Sequence, residues 1–96
     1  MSYRLTRAAE EDLIAIYEAG ARTFGLAQAD SYHASLTTAF EFLDQYPRAA
    51  RERTELSPAI RAHRHQAHLI IYVLQGADVL VVRVRHGHED WQASPI

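Results

Sequence analysis

The sequence predicts an α+β fold in the order β-α-α-β-β-β, an antiparallel sheet with an α-helical hairpin packed on one face. Three observations predict it. Two amphipathic stretches, with apolar residues at three- and four-residue spacing, follow each other between residues 7 and 46. From Ile60 the pattern changes to strands rich in β-branched residues. Between the last two strands, "QGAD" at 75–78 supplies the glycine of a hairpin turn.

Each element has its own justification. "YRLT" at 3–6 alternates apolar and polar residues and reads as a short strand. Thr6 stands at an N-cap position before the first helix, and Glu10, Glu11 and Asp12 lie in early turns that favour negative charge. Ala9, Leu13, Ile16, Tyr17, Gly20 and Phe24 form one stripe, and Gly25 is the natural stop. The second helix, "AQADSYHASLTTAFEFLDQY", carries Ala29, Tyr32, Leu36, Ala39, Phe40, Leu43 and Tyr46, and Pro47 ends it. So short a connection predicts an antiparallel hairpin.

The charged, proline-bounded segment 47–58 reads as a surface loop. "IRAHRHQ" then reads as a polar strand, "HLIIYVL" as a buried one and "VLVVRVRH" as the third. Strict alternation in that last strand predicts Leu80, Val82 and Val84 on one face, with Val81, Arg83 and Arg85 on the other.

Composition narrows the function. Ninety-six residues predict a single domain over 1–96. There is no cysteine, which excludes disulfides and thiolate metal sites. The N-terminus lacks the apolar core of a secretion signal, and the longest apolar run, "LIIYVL", is too short to cross a bilayer. A soluble, cytoplasmic protein without membrane contact is expected. Ten arginines, no lysines and twelve acids give a net charge of −2, which argues against a protein that grips nucleic acid directly. The charge is uneven. Six arginines face nine acids in residues 1–58; four face three in residues 59–96, which also hold five of the six histidines. The C-terminal part is the side suited to an anionic or acidic partner.

Three features carry candidate chemistry. His63 and His65, and again His86 and His88, lie two apart, a spacing that suits zinc, and His68 is placed to complete a set. Cysteine is absent and no acid falls between 60 and 70, so hydrogen-bonded or solvated histidines are the expectation, with no metal and no cofactor. Arg61, Arg64, Arg83 and Arg85 have the charge to stabilise a pentacovalent phosphate, with His86 or His88 as acid or base. A strand with a polar face accounts for the same residues. Trp91, in a polar tail, suits either an interface anchor or a cover for the sheet. The hairpin aromatics Tyr17, Phe24, Tyr32 and Phe40 are numerous for so small a core, so part of that surface suits a partner peptide.

These residues carry a likeness over nearly the whole chain. The initial strand leads into "A..DL..I" (Ala9, Asp12, Leu13, Ile16). "FG" at Phe24–Gly25 precedes "A..Y...L" (Ala29, Tyr32, Leu36), and a proline closes the second helix. "H.I.Y" (His68, Ile70, Tyr72) and "RV.H" (Arg83, Val84, His86), followed by Asp90, complete the series. In order and spacing the chain resembles the ParE toxins of the RelE/ParE superfamily.

The resemblance implies the toxin of a type II toxin–antitoxin system, a non-enzymatic inhibitor that binds and poisons DNA gyrase. It implies neutralisation by a ParD-type antitoxin wrapping its C-terminal segment around the toxin, with DNA contacted only indirectly, through the antitoxin. The target-binding residues expected are Arg83, Arg85, His86, His88 and Trp91; the antitoxin-binding residues are Leu13, Tyr17, Phe24, Tyr32 and Leu36. Arg85 departs from the family pattern, where an apolar residue is usual. Two alternatives remain: a RelE-like ribosome-dependent mRNA interferase, and an inactive toxin acting only in operon autoregulation. Against the first stand the absence of lysine and of any tyrosine beyond Tyr72.

Overall fold

A computed structural model describes residues 2–87 and 91–93. The chain begins with β1 (Tyr3–Leu5) and enters α1 (Arg7–Phe24) through Thr6. The Thr6 hydroxyl accepts a 3.0 Å hydrogen bond from the Ala9 amide and donates one of 2.6 Å to the Val82 carbonyl. It therefore caps the helix and ties its start to the sheet. Gly25 ends α1, its amide donating to the Ala21 carbonyl at 3.0 Å, and α2 (Leu26–Gln45) starts at the next residue. With φ at 94°, this joint needs a residue free of the Cβ penalty. The predicted hairpin is present, but its connection is one residue rather than a loop.

The remaining strands are β2 (Glu52–Arg53), β3 (Ile60–His65), β4 (His68–Gln75) and β5 (Asp78–His86). Gly76, at φ 62°, makes the predicted turn between β4 and β5. The α+β class and the helical hairpin on the sheet match the expectation, with three corrections. The sheet is mixed, in the order β1-β5-β4-β3-β2, because β1 pairs parallel to β5, with Tyr3 opposite Val79. A three-residue alternation specifies a strand but neither its partner nor its direction. Within 47–58, read as a loop, Glu52 and Arg53 form a two-residue edge strand against Arg61 and Ile60. Two residues are too few to show a period.

The third correction concerns β5. Its pairing with β4 shifts between Ile71, opposite Arg83, and Tyr72, opposite Val81, so Val82 is an extra residue. This bulge breaks the alternation. Val79, Val81 and Val84 are buried together against the helices, so Val81 and Val84, expected on opposite faces, share one.

Two apolar clusters sandwich the sheet. Ile70, Tyr72, Val79 and Val81 meet Leu13, Leu36, Phe40 and Leu43 from the hairpin, and all are buried. Each such aliphatic side chain contributes roughly 1.5–3 kcal/mol. By the alternation of β4, Leu69 and Ile71 point the other way, and join Ile60 and Trp91. The buried Tyr72 hydroxyl donates to the Pro47 carbonyl at 2.8 Å, and Arg61 donates to the Ala50 carbonyl at 2.7 Å. Together they pin the segment after α2 to the sheet. Among the described residues, no helix is long and apolar enough to cross a membrane.

Candidate functional site

The two helices are not buried along their whole length. On α1 the buried residues are Ala9 and Leu13, both near its start; on α2, four of the five lie at or beyond Leu36. The end of the hairpin around Gly25 leaves Phe24 and Leu26 about two-thirds exposed (66% and 65%). That end is held by local contacts. A Cβ on Gly20 would stand 3.7 Å from the Ala29 Cβ, so the helices approach closely there. The Tyr17 hydroxyl donates to Asp30, which raises the tyrosine pKa above its ordinary value.

This geometry leaves a groove of about 570 Å³ between the two helices, the β3–β4 turn and the end of β5. All five residues expected to meet the antitoxin, Leu13, Tyr17, Phe24, Tyr32 and Leu36, line it. Leu13 and Leu36 form buried parts of its wall, Tyr17 and Tyr32 are half-buried, and Phe24 is exposed. Ile16, Gln66, Ala67 and His68 line it too. Ile16 belonged to the helical stripe in the sequence. His68 had no such signal, because only strand register places it here.

The residues expected to meet the target are distributed differently. Arg83 donates from Nε (2.7 Å) and Nη2 (2.9 Å) to the two carboxylate oxygens of Asp12, and both side chains are largely buried. Arg85 is half-buried opposite Leu69. His86 is exposed and lines the groove beside the hairpin residues. His88 lies outside the described residues. Trp91 is only 7% exposed; it folds over the second cluster, with the Arg53 guanidinium 5.1 Å from its ring centre. His86 is thus brought together with the antitoxin set, whereas Arg83 and Trp91 are engaged within the fold.

The histidines gather where β3, β4 and β5 end. His65 opposes His68, and His68 opposes His86 across the next ladder. The Tyr32 hydroxyl lies 2.6 Å from His68 Nδ1, and the Ser35 hydroxyl 2.9 Å from His65 Nε2. Burial lowers the pKa of His65, and burial followed by the charge of His65 lowers that of His63. Burial also raises the Tyr32 pKa. No three His, Cys, Asp or Glu side chains converge to hold a metal among the described residues.

The arginines considered for phosphate chemistry do not share one site. Arg83 is on Asp12, Arg61 on the Ala50 carbonyl and Arg64 on the Gln66 carbonyl at 3.2 Å. Each donates to an acceptor in a different part of the fold.

Comparison with known proteins places the chain in context. Residues 3–91 match the family model described as the ParE toxin of the type II toxin–antitoxin system parDE. The chain is 27% identical to Toxin ParE3 of Caulobacter vibrioides over 82 residues, 85% of this chain and 82% of that protein. A solved structure described as a chromosomal ParDE TA system from P. aeruginosa superposes with a TM-score of 0.78, at 22% identity. That alignment covers 90% of this chain and 95% of the other, a likeness of fold.

Proposed function

Because this chain belongs to the ParE toxin family of type II toxin–antitoxin systems, we propose that it inhibits DNA gyrase by binding and is neutralised by a ParD-type antitoxin seated in the groove. The observation that carries the antitoxin half of this reading is the groove itself. It is lined by apolar and aromatic side chains from both helices, with Phe24 largely exposed at its rim. Such a surface fits the apolar face of an amphipathic segment, which is the chemistry of helix-in-groove recognition.

The gyrase half rests on family membership and on the end of β5. Arg85 and His86 are the described residues of that segment that we assign to the target, with His88 following in sequence. In this reading Arg83 and Trp91 hold the segment in place, through Asp12 and the second apolar cluster respectively. His86 borders the groove, so an antitoxin seated there would cover part of the target surface. Neutralisation then follows from overlap, without a change of fold.

Expression of the toxin alone tests the reading. Gyrase poisoning predicts filamentous cells, an SOS response and loss of supercoiling activity by purified gyrase. Rapid arrest of translation with intact DNA would replace it with mRNA cleavage. A folded, well-expressed chain without a growth defect would leave operon control as its role.

A further inference from the structure

Of the four arginines after residue 58, three are at least half-buried and Arg64 is exposed. Arg61 and Arg83 are held on Ala50 and Asp12, and Arg85 is likewise engaged. Arg64 pairs with no carboxylate among the described residues. Its side chain is nonetheless held by the backbone. Nη1 donates to the Gln66 carbonyl at 3.2 Å, in the two-residue turn between β3 and β4. The Ala67 carbonyl of the same turn accepts from the Gly87 amide at 2.8 Å.

These connections meet at Gly87. A Cβ there would stand 3.1 Å from Nη1 and 3.3 Å from Nη2 of Arg64, and 3.2 Å from the Ala67 carbonyl oxygen. All three distances are shorter than ordinary van der Waals contact, so a side chain at 87 would displace the guanidinium. Gly25 and Gly76 need glycine for their positive φ; Gly87 has no such torsion, and its value is the room it leaves Arg64. The register fixes where that charge stands. Arg64 opposes Leu69, and Leu69 opposes Arg85. Cross-strand partners share a face, so both arginines lie on the side of the second cluster, away from the helices. The groove is on the other side, and Arg64 does not line it, although Gln66 and Ala67 do.

We infer that Arg64, seated on Gly87, is a further target-binding residue, whose guanidinium takes a carboxylate on the gyrase surface. The inference rests on gyrase being the target. A guanidinium presents a planar fork that matches a carboxylate through two parallel hydrogen bonds. Held by the turn before any partner arrives, it has less freedom to lose on docking. A chain of net charge −2 suits one local carboxylate better than the long phosphate array of duplex DNA. Gly87 is then a positioning residue, acting only through Arg64.

Binding of the intact toxin to purified gyrase, without and with DNA, tests this. Arg64→Gln should weaken that binding at least about tenfold in both conditions. Its melting temperature and antitoxin affinity should stay unchanged. Arg64→Lys keeps the charge without the fork and should recover only part of the loss. Gly87→Ala should also weaken gyrase binding, but should add nothing in the Arg64→Gln background. Full gyrase binding by Arg64→Gln overturns the proposal, and so does an equal loss of antitoxin affinity. A loss confined to samples containing DNA points to phosphate and overturns the carboxylate. Equal costs of Gly87→Ala in the two backgrounds overturn the seat. If the wild-type chain neither binds nor inhibits gyrase, the target reading itself fails and takes Arg64 with it. Wild type and variants therefore separate the two failures.

Discussion

Asp12 on α1 receives both a bidentate grip from Arg83 of β5, at 2.7 and 2.9 Å, and the Val84 amide at 2.9 Å. The bulge at Val82 and the end of β1 at Leu5 explain why a side chain does this work. Beyond Val81, β5 has no pairing with β1, so its edge amide needs another acceptor. A helical carboxylate takes the place of a strand. Arg83, which in the sequence looks like a surface cation offered to a partner, is thereby a clamp between helix and sheet.

Asp12→Ala should therefore be costly. It leaves a largely buried guanidinium without its counter-charge and an edge amide without its acceptor, which together cost about 3–5 kcal/mol. Urea unfolding followed by circular dichroism measures it. A loss below about 1 kcal/mol would mean that water replaces the carboxylate. Arg83→Ala should also lower stability, so any loss of toxicity in that variant has to be compared with the amount of folded protein.

Trp91→Ala should destabilise the fold by about 3–5 kcal/mol, because the ring is a buried part of the second cluster rather than an exposed anchor. Trp91 is the only tryptophan in the chain, so its fluorescence reports on this contact directly. The native emission should be blue-shifted and should move to the red with the main unfolding transition. Red emission from the folded protein would contradict this burial.

Phe24→Ala should separate binding from folding. The side chain is 66% exposed, so stability should change by less than about 0.5 kcal/mol. An aromatic anchor in an interface is worth about 2 kcal/mol or more, so antitoxin affinity should fall at least about tenfold. Calorimetric binding and thermal melting of the same sample provide both numbers.

The free toxin should lose stability in mild acid. Burial lowers the pKa of His63 and His65 in the folded state, so the unfolded chain binds more protons as pH falls through the ordinary histidine range. Their contribution is complete above the unfolded pKa of about 6.5 and is lost as pH falls through the folded values. The urea midpoint should be lower at about pH 5.5 than at about pH 7.5. Replacing both residues with glutamine should flatten that difference.

Much of this molecule is legible from local chemistry. Thr6, Gly25, Pro47 and Gly76 mark boundaries because capping, positive φ and the missing proline amide act within a few residues. The apolar stripes identify Leu13, Leu36, Phe40 and Leu43 because a helix repeats every 3.6 residues whatever it packs against. The groove residues follow from the same stripes. They are the aromatics left over after a small core has been filled.

What the sequence determined by itself, then, was the class of fold, the hairpin and the hydrophobic residues that line its open end. Only the tertiary structure decided that β1 runs parallel to β5, that Val82 is an extra residue, and that Arg83 belongs to Asp12. The first and the last depend on partners about 70 or more residues apart, and the bulge on the β4–β5 register, with no periodicity to announce them. The histidine pair is the sharpest case. His68 and His86 are 18 positions apart and become neighbours only through the β4–β5 register, which one residue of slip would undo.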